Sequence, residues 1–180
     1  MPERRYAAEI ERLREPSRIE LLEVNRVVDI CLNGIQAANV LDAGTGSGLF
    51  AEAFANRGVS VTGIDPNLEM LKAAKRFVPA GTFLRGIVEE IPLVAKSFNL
   101  VFLGLVLHES DDIIKALSES KRVAKQEVSV LEWPYVQEEI GPPLDHRLKT
   151  EKVLNAAKQV GFSFIGTTKL QHMVLFRFTI

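Results

Sequence analysis

Between residues 38 and 133 the chain alternates short apolar runs with longer stretches in which apolar residues recur every three or four positions. Val40-Leu41, Val59 to Ile64, Thr82 to Leu84, Phe98 to Leu103 and Val128 to Glu132 read as strands, and Ser47 to Asn56, Leu68 to Phe77 and Asp111 to Ala124 as intervening helices. Strands joined by helical crossovers lie parallel, with helices on both faces of the sheet. Upstream, Leu21, Val24, Val27 and Val28 give Pro2 to Asn33 a helical period, divided at Pro16. Downstream, Pro134 to Lys149 holds Gly141-Pro142-Pro143 and reads as a loop at the carboxyl end of the fifth strand. A helix over Thr150 to Val160 is expected to start at a Thr150 cap and stop at Gly161. Phe162 to Thr168 and His172 to Phe178 follow, too close together for a crossover and therefore antiparallel. The pattern predicts an α/β fold with a doubly wound seven-stranded sheet, mostly parallel with an antiparallel last strand.

Composition narrows the function classes. A 47% hydrophobic content over 180 residues is enough for one sizeable core, so one domain over 1–180 is expected. Lys plus Arg number 22 against 23 Asp plus Glu, which leaves no excess positive charge for a nucleic-acid backbone. Cys31 is the single cysteine, so no internal disulfide or multi-thiolate metal site is expected, and its apolar neighbours make it a core residue. The longest apolar run, Leu100 to Leu107, falls far short of the ~20 residues that span a bilayer. The N-terminus is densely charged with no apolar signal region, and a cytoplasmic protein is expected.

The chemistry concentrates in Leu41-Asp42-Ala43-Gly44-Thr45-Gly46-Ser47-Gly48, three alternate glycines between a strand and a helix. Residues without Cβ atoms let the backbone turn sharply and approach a ligand, while the following helix presents free N–H groups. Leu49 occupies the place of the third glycine in a dinucleotide G-x-G-x-x-G, which argues against a diphosphate cradle and a nicotinamide enzyme. Asp65, seventeen residues after Gly48, ends the second strand, where a carboxylate can accept both ribose hydroxyls of a nucleoside. It can equally cap the helix that begins near Leu68, and the two roles are compatible.

These segments, with Gly86-Ile87-Val88-Glu89-Glu90-Ile91-Pro92, Leu107-His108-Glu109 and Val130-Leu131-Glu132-Trp133-Pro134, resemble the class I S-adenosylmethionine (SAM) dependent methyltransferases, nearest the small-molecule, type 11 and quinone-biosynthesis-like branch. The resemblance runs by motif over about 38 to 133 and by element order to the C-terminus. It implies a Rossmann-like core over 37–180, an N-terminal helical lid over 1–36, and SAM as cofactor. By the same resemblance, Asp42 and the Gly44, Thr45, Gly46 and Gly48 backbone flank the methionine part, Asp65 holds the ribose, and Pro66 packs on the adenine. Ile87, Val88, Gly104 and Leu105 complete that cofactor set. Ile87 stands where relatives carry an Asp that contacts the adenine amino group, and Lys125-Gln126-Glu127 replaces a Pro-Gly-Gly turn, implying a tighter one.

On the acceptor side, His108 follows the fourth strand, Glu132 ends the fifth, and His146 lies in the loop beyond; these are the candidate catalytic residues. His108-Glu109 reads as well as the solvated start of a helix, and Arg147 as either an anion partner or a surface ion pair. The three histidines have no metal-ligand spacing, so no metal is expected. The leading expectation is methyl transfer from SAM to a small-molecule acceptor, with no nucleic-acid or membrane partner and with a homodimer as one way to complete a short chain's pocket. The alternative is a non-catalytic SAM-fold binding or scaffold module.

Overall fold

The computed structural model describes residues 9–180. Residues 1–8, part of the expected lid, lie outside the described residues. Helical residues 9–13 (α1) precede α2 (Pro16–Leu21) and α3 (Val24–Leu32). The core follows as β1 (Asn39–Ala43), α4 (Leu49–Ala55), β2 (Ser60–Asp65), α5 (Leu68–Phe77), β3 (Thr82–Arg85), β4 (Phe98–Gly104), α6 (Ile113–Val123), β5 (Ala124–Glu132), α7 (Thr150–Val160), β6 (Ser163–Lys169) and β7 (Val174–Thr179). The sheet order is β3-β2-β1-β4-β5-β7-β6. β7 runs antiparallel to both β5 and β6, and the other pairings, β3-β2, β2-β1, β1-β4 and β4-β5, are parallel.

Pleating explains the two cores. Leu100 and Phe102 of β4 face α3 and α4, among Val27, Val28, Cys31, Phe50 and Phe54, whereas Val101 and Leu103 face α6 and α7, among Leu117, Val123, Val153 and Ala157. The Phe102 ring is fully buried, 4.8 Å from Phe50 and 5.5 Å from Phe54 between centroids. Burial of that size stabilises the sheet by ~1.5–3 kcal/mol per large side chain.

Two local expectations change. Thr150 does not cap α7: the N-cap is Lys149, with no side-chain cap bond. Lys125-Gln126-Glu127 forms no turn at all, because α6 passes directly into β5 at Ala124. Glu127 is drawn into the interior by Arg177 of β7, whose guanidinium donates to both its oxygens at 2.7 and 2.8 Å, while the Ser129 hydroxyl donates at 2.9 Å. A charged pair held across β5 and β7 takes the place of turn residues at the start of the strand.

Chain order reverses between β1 and β4: from β1 the sheet grows outward through β2 and β3, and β4 returns to its other side. Loops leaving the carboxyl ends of these two neighbours must diverge, which opens a crevice there.

Candidate active site

That crevice is a cleft of about 360 Å³. Its floor is the β1–α4 loop. Gly44 N–H and Thr45 N–H both donate to the Ile64 carbonyl at 2.9 Å, tying the loop to β2. Asp65 completes the tie: Oδ2 accepts from Gly46 N at 2.9 Å and Oδ1 from Asn67 N at 2.8 Å. The helix cap is Asn67, whose side chain accepts from Glu69 N and Met70 N, so Asp65 braces the approach to α5 rather than capping it.

The glycines divide by role. Gly46 has φ +52, lines the cleft, and a Cβ there would meet no protein atom within 4 Å. Gly48 does not line the cleft. It has φ +78, is the N-cap of α4, and a Cβ on it would stand 2.8 Å from the Ala74 Cβ and 2.9 Å from its Cα. The first glycine therefore leaves room for a ligand and the second lets α4 and α5 pack.

Both aspartates resist ionisation. Asp42 is buried and takes a 2.7 Å hydrogen bond from the Thr45 hydroxyl; burial, with the nearby Asp65 charge adding to it, pushes its carboxyl up to about 7. Burial also raises Asp65, against the two N–H groups it accepts. The cleft is lined by four carboxylates, Asp42, Asp65, Glu89 and Glu109, and by one guanidinium, Arg18. Such a site fits a ligand with positive charge and opposes a diphosphate.

Of the residues anticipated for the cofactor, Asp42, Gly44, Thr45, Gly46, Asp65, Pro66, Ile87, Val88, Gly104 and Leu105 line this one cleft. Ile87 is 45% exposed at its edge. Leu105 is a non-glycine residue at φ +58, held by a 2.9 Å bond from its N–H to the Leu131 carbonyl; left-handed backbone in a leucine is strain of the kind that collects at ligand sites.

The acceptor-side candidates separate. His108 and Glu132 come together beside the cleft without lining it: Nδ1 lies 2.7 Å from Glu132 Oε2, and the His108 N–H donates to Oε1 at 3.1 Å. The carboxylate fixes the tautomer, with Nδ1–H donating. Nε2 stands 3.9 Å from Glu109, which does line the cleft. Burial acts to lower the His108 pKa, but the hydrogen bond and charge of Glu132, helped by Glu109, raise it overall. His146 is exposed on the short turn Leu144–His146 and lines no part of the cleft. Arg147 is neither a surface ion pair nor open to an anion. Its buried guanidinium donates to the carbonyls of Pro134, Val136, Ile140 and Pro142, contacts Glu138, and lies 5.3 Å from the Trp133 ring, folding loop 134–147 around itself.

Sequence reasoning missed Leu13, Arg18 and Leu22, which reach the cleft from the N-terminal helices. It also missed Arg14, which pins α1 down by donating to the Ser47 carbonyl at 3.0 Å, pairing with Glu52 and covering the Phe77 ring. Nothing local distinguishes these arginines from their solvated neighbours. Among the described residues no His, Cys, Asp and Glu group could hold a metal ion, and no helix is long and apolar enough to cross a membrane.

A doubly wound sheet with a glycine loop at its switch point and a carboxylate at the tip of the next strand defines a nucleoside-binding α/β protein. Comparison with known proteins makes the class specific: the chain belongs to the methyltransferase domain family of type 11, whose profile matches residues 41–131. Similar curated proteins are a malonyl-[acyl-carrier protein] O-methyltransferase of Salmonella typhimurium, 38% identical over 94 residues, and a demethylmenaquinone methyltransferase of Renibacterium salmoninarum, 33% identical over 100. The matches cover 52% and 56% of this chain but 38% and 42% of those relatives, so the chain aligns with well under half of their length. A crystal structure of a SAM dependent methyltransferase from Aquifex aeolicus superposes with a TM-score of 0.83 over 96% of this chain and 97% of that one, at 24% identity. The fold also serves other chemistry, since the [4+2]-cyclase SpnF matches with a TM-score of 0.75 over 88% of this chain and 80% of its own, at 14% identity.

Proposed function

We propose that the protein binds SAM in the β1–β4 cleft and transfers its methyl group to a small-molecule acceptor. The observation that carries this reading is the pairing of a glycine loop open to a ligand at Gly46 with two carboxylates, Asp42 and Asp65, whose burial leaves them short of positive charge. SAM brings an activated methyl on a cationic sulfur that leaves as a neutral thioether. No acid is then required of the protein, and positioning alone can account for ~7–11 kcal/mol of barrier lowering. In this reading Asp65 turns its remaining lone pairs to the ribose, Pro66 and Ile87 face the adenine, the Val88 N–H meets the ring edge, and Asp42 with Gly44 to Gly46 flanks the methionyl chain. Leu105 holds the far wall.

For an acceptor that must lose a proton, His108 is the base and the buried Glu132 orients it, a pairing worth ~10²–10⁴-fold where the proton is removed in the transition state. Of the relatives' names, demethylmenaquinone methyltransferase fits an acceptor of that kind, whereas a malonyl carboxylate, already ionised near neutral pH, needs no base.

Calorimetric titration with SAM, S-adenosylhomocysteine and NAD tests the cofactor. SAM binding with no NAD binding is expected; NAD binding, or an empty titration at millimolar SAM, refutes the reading. Asp65→Ala should weaken SAM at least tenfold, a loss of about 1.4 kcal/mol. Labelled methyl transfer separates an enzyme from a SAM-binding module without turnover.

A further inference from the structure

β3 is the outermost strand on its side of the sheet and is hydrogen-bonded to β2 alone, so its other edge carries unpaired backbone N–H and C=O groups. The connection that follows it, residues 86–97, contains no helix. A groove of about 970 Å³ runs between this free edge and α5, with Ile10 of α1 also in its wall, and residues 86–97 contribute nothing to its lining.

Two kinds of side chain face this groove. Leu68 and Leu84 are apolar and stand 53% and 37% exposed. The charged lining is four cations, Lys72, Lys75, Arg76 and Arg85, against one anion, Glu69. Lys72 pairs with Glu69, and the Lys75 ammonium donates to the Gly81 carbonyl at 2.8 Å. Arg76 and Arg85 are exposed and have no hydrogen-bond or ion-pair partner among the described residues. A chain whose formal net charge is -1 thus gathers positive charge beside an open sheet edge. None of these side chains lines the β1–β4 cleft.

We infer that this groove is a docking site for an acidic, extended segment of a partner protein, which adds as a further strand outside β3. Strand addition draws affinity from main-chain hydrogen bonds and specificity from the places that receive alternate side chains. Here apolar side chains of the incoming segment meet Leu68 and Leu84, and its carboxylates meet the guanidinium forks of Arg76 and Arg85. A charge on an edge strand commonly guards it against pairing. Three of these four cations stand instead on α5, across the groove, where they select the charge of an incoming strand rather than block it. A second copy of the chain is opposed, because it would bring the same cations to the same edge. Residues 1–8 carry Arg4 and Arg5 against Glu3 and supply no net negative charge. Nucleic acid finds no exposed aromatic ring in the groove on which to stack, since Phe83 is half buried against the α4 core.

The test is independent of the SAM reading. Its probes are a dye-labelled peptide alternating glutamate with valine, a counterpart alternating lysine with valine, and a single-stranded oligothymidylate. Fluorescence anisotropy should show the wild type binding the acidic peptide at least about tenfold more tightly than either other probe, with the affinity falling as salt rises. Hydrogen exchange followed by NMR should show new protection of the amides from Thr82 to Arg85 when that peptide is bound. Arg76→Glu combined with Arg85→Glu should reverse the peptide preference while urea unfolding stays as in the wild type. Should that variant fail to fold, Arg76→Gln with Arg85→Gln, which only removes charge, should weaken the acidic peptide by the same factor. Equal binding of the two peptides, tighter binding of the oligothymidylate, or protection that spares β3 overturns the inference. So does protection of those amides on raising the concentration of the protein alone, the mark of a second copy.

Discussion

Asp42→Asn isolates the cost of the carboxylate at the base of the cleft. Burial moves the Asp42 carboxyl from 3.8 to about 7, roughly three pH units at about 1.4 kcal/mol each, or on the order of 4 kcal/mol. The raised value means that the folded protein keeps its proton while the unfolded chain releases it. Below pH 4 both states are protonated and the group is neutral in effect. Between pH 4 and 7 the unfolded chain holds fewer protons, so stability falls as pH rises, and above pH 7 the whole penalty is present. Asparagine can accept the Thr45 hydroxyl bond through its carbonyl oxygen without any charge. Asp42→Asn should therefore match the wild type near pH 4 and exceed it by several kcal/mol at pH 8, read from urea unfolding at pH 4, 6 and 8. A difference that stays flat across that range, or an asparagine variant less stable at pH 8, would refute the idea that the cleft keeps this charge against the interest of the fold. A stabilised variant that binds SAM more weakly would show what the charge is for.

Other expectations follow from single contacts. Gly46→Ala and Gly48→Ala share the left-handed strain of ~1–2 kcal/mol, but Gly48→Ala also drives a methyl into Ala74 and should cost a further ~1–3 kcal/mol in urea unfolding; equal losses would contradict the division of roles. Gly46→Ala, the milder of the two for folding, should be the one that still folds well yet loses SAM affinity in calorimetry. Because its folded pKa is raised, His108 contributes stability that is complete below pH 6.5 and fades as pH climbs through the folded value; the stability gap between wild type and His108→Gln should shrink from pH 6 to pH 8.5, and a widening gap would reverse the sign. Arg177→Met strands the buried Glu127 and should cost ~3–5 kcal/mol, most of it recovered by adding Glu127→Leu; no recovery in the double variant would mean that the arginine matters for packing instead.

The β1–β2 side of the cleft was legible because short-range chemistry writes it. Asp42 to Gly46 and Asp65-Pro66 lie at the ends of adjacent parallel strands, so a turn signal and a strand signal suffice to bring them together. Leu68–Phe77 and Thr150–Val160 matched their expected bounds because their apolar periods break sharply at both ends. Lys125-Gln126-Glu127 failed as a turn because its fate depends on Arg177, fifty residues away, which no local pattern reveals. The close approach of Gly48 to Ala74, on another helix, is hidden from local pattern for the same reason.

The residues beyond those motifs are written differently. Arg18, His108 with Glu109, Glu132 and the loop wound on Arg147 come from four separate stretches of chain and are placed only by packing. Charge type in the sequence was a poor guide to their roles: Arg147 turned out to be a fully satisfied scaffold for a loop, whereas Arg18, in a helix that reads as a solvated face, lines the cleft with no counter-ion among the described residues. The feature that separates the two is hydrogen-bond satisfaction, a property of the folded state. The glycine loop and its neighbours can thus be written in a few adjacent motifs while remote, individually unremarkable charges take roles that only the folded state assigns, and those charges are found by asking which of them the fold leaves unanswered.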